Sequence, residues 1–205
     1  MNVNSNTWNK VRYTIYSPFY DFIGGYFNAS RKKSIDSLEI KAGEKVLLIG
    51  AGTGLDLEFL PDDCHITITD ITESMLGKVR NRNKRLKKDV RIINMDGQNL
   101  SFGDESYDKV ILHLILAVIP DPVACINEAE RVLRKGGKLS VFDKFVQEDK
   151  NPGILRKFVN LFTGFLFSDI TRKFSTIRQS CKLKLIADKE ADFNGNFRII
   201  LLEKS

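Results

Sequence analysis

The run Lys45-Val46-Leu47-Leu48-Ile49 passes without a break into Gly50-Ala51-Gly52-Thr53-Gly54. An apolar run of this length, ended by glycines, reads as a buried parallel strand feeding a tight turn. Glycine allows the turn and removes the Cβ atoms that would hold a ligand away. A helix at Leu55–Phe59 would then present free N–H groups to an anion.

The rest of the chain repeats the alternation. Further strands are expected at 66–69, 90–95, 109–114 and 138–142, with two more at 183–188 and 197–202. Helical patterns fall between them. Residues 74–86 carry Met75, Leu76, Val79 and Leu86 at helix spacing. Asp121-Pro122 suits the start of another helix, which is expected to run to Leu133 and stop at Gly136-Gly137. Such alternation means βαβ units and a parallel sheet with helices on both faces. The turn Phe193-Asn194-Gly195-Asn196 carries a hairpin signal, so the last strand is expected to run antiparallel.

Acidic residues sit where such a sheet binds ligands, at the carboxyl ends of strands. Asp70 ends the second strand, 20 residues after Gly50, the spacing at which an acid reaches a ribose hydroxyl. Asp96 follows the third strand, where a carboxylate could take a hydrogen bond from an adenine amino group. Met75 could pack on the adenine face or simply belong to the core. The anion at the glycine turn would be a pyrophosphate in a dinucleotide, or the amino-acid carboxylate in S-adenosylmethionine.

Composition narrows the field modestly. The chain has 205 residues and a formal net charge of +6, enough for one domain with a mild basic excess. Cys64, Cys125 and Cys181 are widely separated, so neither a zinc site nor a disulfide framework is expected, and a reducing, cytoplasmic setting is. No signal peptide and no apolar run near the roughly 20 residues of a membrane span is read. Basic residues are dispersed, and no nucleic-acid partner is expected.

Two segments stand outside the regular pattern. Residues 8–31 are aromatic, with Tyr16 and Tyr20 among the rings and Lys10, Arg12 and Arg31 interspersed. They read either as a lid over the cleft or as a lid that also contacts an anionic membrane from its inner face. Residues 151–171 are rich in Phe and Leu and read as a helical cover. Together the two segments favour an amphiphilic or apolar small-molecule partner.

The stretches VLLIGAGTG (46–54), TDITESML (69–76), NMDGQNLSFGDESYDKV (94–110), VIPDPVACINEAERVLRKGGKLSVFD (118–143) and FRIILLEK (197–204) resemble the class I S-adenosylmethionine-dependent methyltransferases. Within these, the chain is similar to the UbiE-like group and to bacterial phospholipid N-methyltransferases. The resemblance implies a single Rossmann-like domain over 1–205 with a seven-stranded, mostly parallel sheet in the order 3-2-1-4-5-7-6. Its parts would be a lid (1–40), a cofactor-binding core (41–145), a helical cover (146–180) and a terminal strand hairpin (181–205). It implies S-adenosylmethionine as cofactor and no metal. Gly50, Ala51, Gly52 and Gly54 would line its methionine end, Asp70 and Ile71 its ribose, and Asp96, Gly97 and Gln98 its adenine, with Met75 on the adenine face.

By the same resemblance His113 would sit near the sulfonium and the acceptor. His113, Tyr16 and Tyr20 are then candidates to orient an acceptor amine or relay its proton, and Arg172 to pair with a lipid phosphate. Phosphatidylethanolamine is the preferred acceptor. A quinone precursor, a small soluble metabolite and a non-catalytic, membrane-associated binding module are the alternatives. One departure stands out: many relatives carry an acid where this chain has Leu48.

Overall fold

The computed structural model describes residues 5–7, 10–11, 14, 24–146, 171–193 and 195–205. Tyr16, Tyr20 and most of the 151–171 cover lie outside them.

Seven strands form one sheet: β1 (Lys45–Ile49), β2 (His65–Asp70), β3 (Val90–Asn94), β4 (Tyr107–His113), β5 (Leu133–Lys144), β6 (Lys184–Glu190) and β7 (Phe197–Glu203). The order is β3-β2-β1-β4-β5-β7-β6. The five strands from β3 to β5 are parallel to their neighbours, and β7 runs antiparallel to both β5 and β6. The expected topology is therefore present. The chain leaves β1 first toward β2 and β3, and then toward β4 and β5. Its crossovers diverge at the ends of β1 and β4, where open α/β sheets hold ligands.

Among the described residues, the sheet is flanked by α1 (Asn28–Asp36), α2 (Glu73–Leu86), α3 (Pro122–Val132) and the short α4 (Phe174–Ile177). Alternation along the strands divides the core between two faces. Leu47, Ile49, Val110, Leu112, Leu139 and Val141 point to one face, where Cys125, Ile126 and Ala129 of α3 and Phe174 of α4 cover them. Val46, Leu48, Ile66, Ile68 and Ile111 point to the other, against Ile35 of α1 and Leu76 and Val79 of α2. Leu48 is thus core, 1% exposed, on the α1/α2 side.

Three local expectations need correction. Residues Leu55–Phe59 form a 3-10 turn instead of an α-helix. Gly54 enters the turn left-handed at φ 75°, and Leu57 N–H closes it tightly by donating three residues back to the Gly54 carbonyl at 3.1 Å. Strand β5 begins at Leu133 and runs through Gly136-Gly137, which were read as a helix stop. Pairing with the C-terminus overrides the local signal: Gly136 N–H donates to the Lys204 carbonyl at 2.8 Å, and Lys204 N–H to that of Gly137 at 3.0 Å. Strand β4 starts two residues earlier than expected, at Tyr107.

Asp121 caps α3 as expected, accepting from Ala124 N–H at 2.9 Å. No helix among the described residues is long and apolar enough to cross a membrane. The three cysteines are free and buried.

Candidate cofactor site

A cavity lies at the carboxyl ends of the central strands. Gly50 and Gly52 after β1, Asp70, Ile71 and Thr72 after β2, Met75 of α2, and Met95, Asp96 and Gly97 after β3 all line it. The run Leu114–Pro120 contributes Leu114, Ile115, Val118, Ile119 and Pro120, and Asn6 closes one side. Each wall follows from the topology, because parallel strands deliver their succeeding loops to a single edge.

The glycines are required by space as well as by conformation. Gly50 has φ 65°, and a Cβ there would lie 2.0 Å from Ile115 Cδ1. A Cβ on Gly97 would lie 2.6 Å from Ile49 Cγ2. Loop backbone therefore packs against Ile115 and Ile49 more closely than any residue with a side chain would allow.

Asp70 binds two loops at once. Its Oδ2 accepts from Gly52 N–H and its Oδ1 from Thr72 N–H, both at 2.8 Å. Each carboxylate oxygen retains acceptor capacity for a hydroxyl in the cavity. Burial pushes the Asp70 carboxyl above its ordinary pKa, and the N–H groups of Thr72 and Gly52 offset only part of that. Asp96 accepts from Gln98 backbone N–H at 3.0 Å and from Gln98 Nε2 at 2.9 Å. Its Oδ2 accepts from Asn6 Nδ2 at 2.6 Å. Gln98 Oε1 in turn accepts from Asp121 N–H at 2.8 Å, tying the third-strand loop to the start of α3.

The loop after β4 is held from two sides. Buried Asp143 accepts from Ala117 N–H at 3.0 Å. Arg172 Nη1 donates to the carbonyl of Ile119 at 2.9 Å and also to that of Leu116. Through Nη1, Arg172 braces the 114–120 loop.

His113 also lies elsewhere than expected. It ends β4 with its side chain 1% exposed, and it is not among the residues lining the cavity. Its Nδ1 meets Asp56 Oδ1 at 2.7 Å and its Nε2 meets Ser34 Oγ at 2.8 Å. An ionised Asp56 only accepts, so Nδ1 is the donor. Asp56 Oδ2 takes the Arg31 guanidinium at 2.6 Å, and Ser34 Oγ meets Ser140 Oγ at 2.6 Å. Burial would raise the Asp56 pKa, but the adjacent Arg31 and His113 outweigh it and hold the carboxyl well below the usual range.

Ser34, His113 and Asp56 have the connectivity of a hydrolytic triad, yet Ser34 is 0% exposed. A nucleophile needs an open face, so this network is a clamp that joins α1 to the ends of β4 and β5.

Of the residues singled out from sequence, Gly50, Gly52, Asp70, Ile71, Met75, Asp96 and Gly97 line the cavity. Gln98 reaches it through Asp96, while Ala51 and Gly54 stand behind the lining in the turn. Asn6, Thr72, Met95 and the lining residues of the 114–120 run were missed. Thr72 and Met95 neighbour residues that were singled out, but Asn6 is 90 positions from Asp96 and carries no local signal.

A family model described as a methyltransferase domain matches residues 47–141. The chain is 31% identical over 137 residues to a phosphatidylethanolamine N-methyltransferase of Cereibacter sphaeroides, covering 65% of this chain and 66% of that one. It is 30% identical over 156 residues to a demethylmenaquinone methyltransferase of Paenarthrobacter aurescens, covering 73% and 58%. The chain therefore spans less than two thirds of the length of these relatives. The solved structure of the [4+2]-cyclase SpnF superposes with a TM-score of 0.74 at 14% identity, covering 86% of this chain and 81% of that one. The last similarity concerns fold alone. The motifs, the strand order, the cavity at the strand ends and the two methyltransferase relatives agree: the chain belongs to the class I S-adenosylmethionine-dependent methyltransferases.

Proposed function

We propose that the protein binds S-adenosylmethionine in this cavity and methylates the headgroup amine of a phospholipid such as phosphatidylethanolamine. The observation that carries the cofactor half is the convergence of Gly50, Asp70 and Asp96 on one cavity. The donor set fits: close-approach glycines for an amino-acid moiety, a buried carboxylate for two ribose hydroxyls, and a second carboxylate for an adenine amino group. Because a 3-10 turn replaces the expected helix, the loop backbone at 50–54 takes over the carboxylate contact. Met75, 1% exposed, supplies an apolar wall for the base.

When bound, the cofactor supplies a sulfonium-activated methyl group for in-line displacement. The chain's contribution is alignment and exclusion of water. The braced 114–120 loop forms the wall that adjoins the glycine turn at Ile115. His113 acts as a positioning residue: it fixes the end of β4, where Leu114 turns left-handed at φ 58°. Both its nitrogens are engaged, so proton acceptance from the amine falls to other groups. Tyr16 and Tyr20 keep that proposed role. Peripheral contact with an anionic membrane belongs to the same reading, and the basic balance of the chain supports it.

The phospholipid acceptor is supported by the relative from Cereibacter sphaeroides. A quinone-precursor carbon is the second reading, favoured by the relative from Paenarthrobacter aurescens. Incubation with methyl-labelled cofactor, phosphatidylethanolamine vesicles and a demethylated quinone separates them. Label is expected in the extracted phospholipid. Label confined to the quinone, or in neither, contradicts the proposal.

Asp70 gives a pH signature. Ribose hydroxyls donate to the ionised carboxylate, so the ligand favours the deprotonated form. Protonation therefore weakens binding as pH falls through the Asp70 pKa, which burial has raised above the ordinary value of about 4. The affinity for S-adenosylhomocysteine should decline on acidification at higher pH than an ordinary aspartate would give. Asp70→Asn should bind weakly and lose that decline. Calorimetry across the acid range measures both.

A further inference from the structure

The cavity is partly filled by its own chain. Asn6 Nδ2 donates to Asp96 Oδ2 at 2.6 Å, and Gln98 Nε2 donates to Asn6 Oδ1 at 3.2 Å. A carboxamide N–H₂ thereby sits on the carboxylate where an adenine amino group would donate. The two groups have the same chemistry, a planar amino donor beside an acceptor. The cavity that remains measures about 70 Å³, while pockets for ligands of cofactor size run to roughly 300–1,000 Å³. The cavity as it stands is smaller than a ligand of cofactor size requires.

We infer that Asn6 is a built-in competitor for the adenine subsite, so that cofactor binding must displace it and its release sets part of the cofactor affinity. The inference rests on the reading of Asp96 as the adenine acid. The displacement exchanges one hydrogen bond to Asp96 for another. Asp96 Oδ2 already accepts from Asn6 Nδ2 and, at 3.1 Å, from Gln98 Nε2, so a further amino donor competes with Asn6 for it and each weakens the other's occupancy.

Calorimetric titration of the full chain with S-adenosylhomocysteine tests this. Asn6→Ala is expected to bind about ten-fold more tightly than wild type, the scale of one hydrogen bond to a charged group. Asn6→Asp, which sets a second carboxylate against Asp96, should shift in the same direction. The gain from Asn6→Ala should vanish when Asp96 is already asparagine. Unchanged or weaker binding by both Asn6 variants overturns the inference while leaving the cofactor site standing. No binding by wild type or by any variant overturns the cofactor reading and the inference together.

Discussion

Gly50→Ala is expected to weaken S-adenosylhomocysteine binding by roughly 10- to 100-fold, the equivalent of overpacking by about 1–3 kcal/mol. The reasoning has two parts. Gly50 has φ 65°, a region costing a residue with a Cβ about 1–2 kcal/mol. The added Cβ would also lie 2.0 Å from Ile115 Cδ1 and 2.9 Å from Cγ1. Ile115 must swing aside, and it already lines the cavity, so the relief comes at the ligand's expense. Gly43→Ala separates the two effects. Gly43 has a similar φ of 76°, but a Cβ there meets nothing within 4 Å. That variant should melt lower yet bind normally, and calorimetry on both variants reads the difference. Equal binding by the two would mean that the turn does not face the cofactor.

The second large effect belongs to the buried clamp. Asp56→Ala is expected to destabilise the fold by about 3–5 kcal/mol, because it removes the carboxylate paired with the buried Arg31 guanidinium. Arg31 is 3% exposed and Asp56 2%. For a chain of this size the melting temperature should fall by roughly 6–20 °C. The pH dependence follows from the lowered Asp56 pKa. Its contribution to stability is complete above the unfolded-state carboxyl pKa of about 4 and is lost as pH falls through the depressed folded value. The variant should therefore lose less stability than wild type on strong acidification. A melting temperature within about 2 °C of wild type would refute the clamp. His113→Asn should likewise lower stability, and it should leave the pH profile of methyl transfer unmoved if its role is positional.

Much of this was legible from sequence because the signals are local. The strand at 45–49 runs straight into its glycines, and the acids at 70 and 96 sit at the ends of β-branched runs. The hairpin at 193–196 announced the reversed last strand. What escaped notice is decided between distant residues. His113 looked like a site residue because of its place after β4, but Asp56, 57 positions away, draws it into the core. Nothing local to Arg172 shows that its Nη1 reaches carbonyls of the 114–120 loop, 56 and 53 positions away. The glycines at 136–137 looked like a helix stop because no local pattern reveals that the C-terminal residues pair with them. Asn6 lies in a stretch with no periodicity, and only the fold brings it to Asp96.

A crystal structure of the chain with S-adenosylhomocysteine tests the central claim most directly. The account predicts the ribose hydroxyls on Asp70, the adenine amino group within hydrogen-bond distance of Asp96, and the amino-acid end over Gly50–Gly54. A ligand bound away from these three groups, with Asp70 and Asp96 still satisfied only by protein atoms, would contradict it.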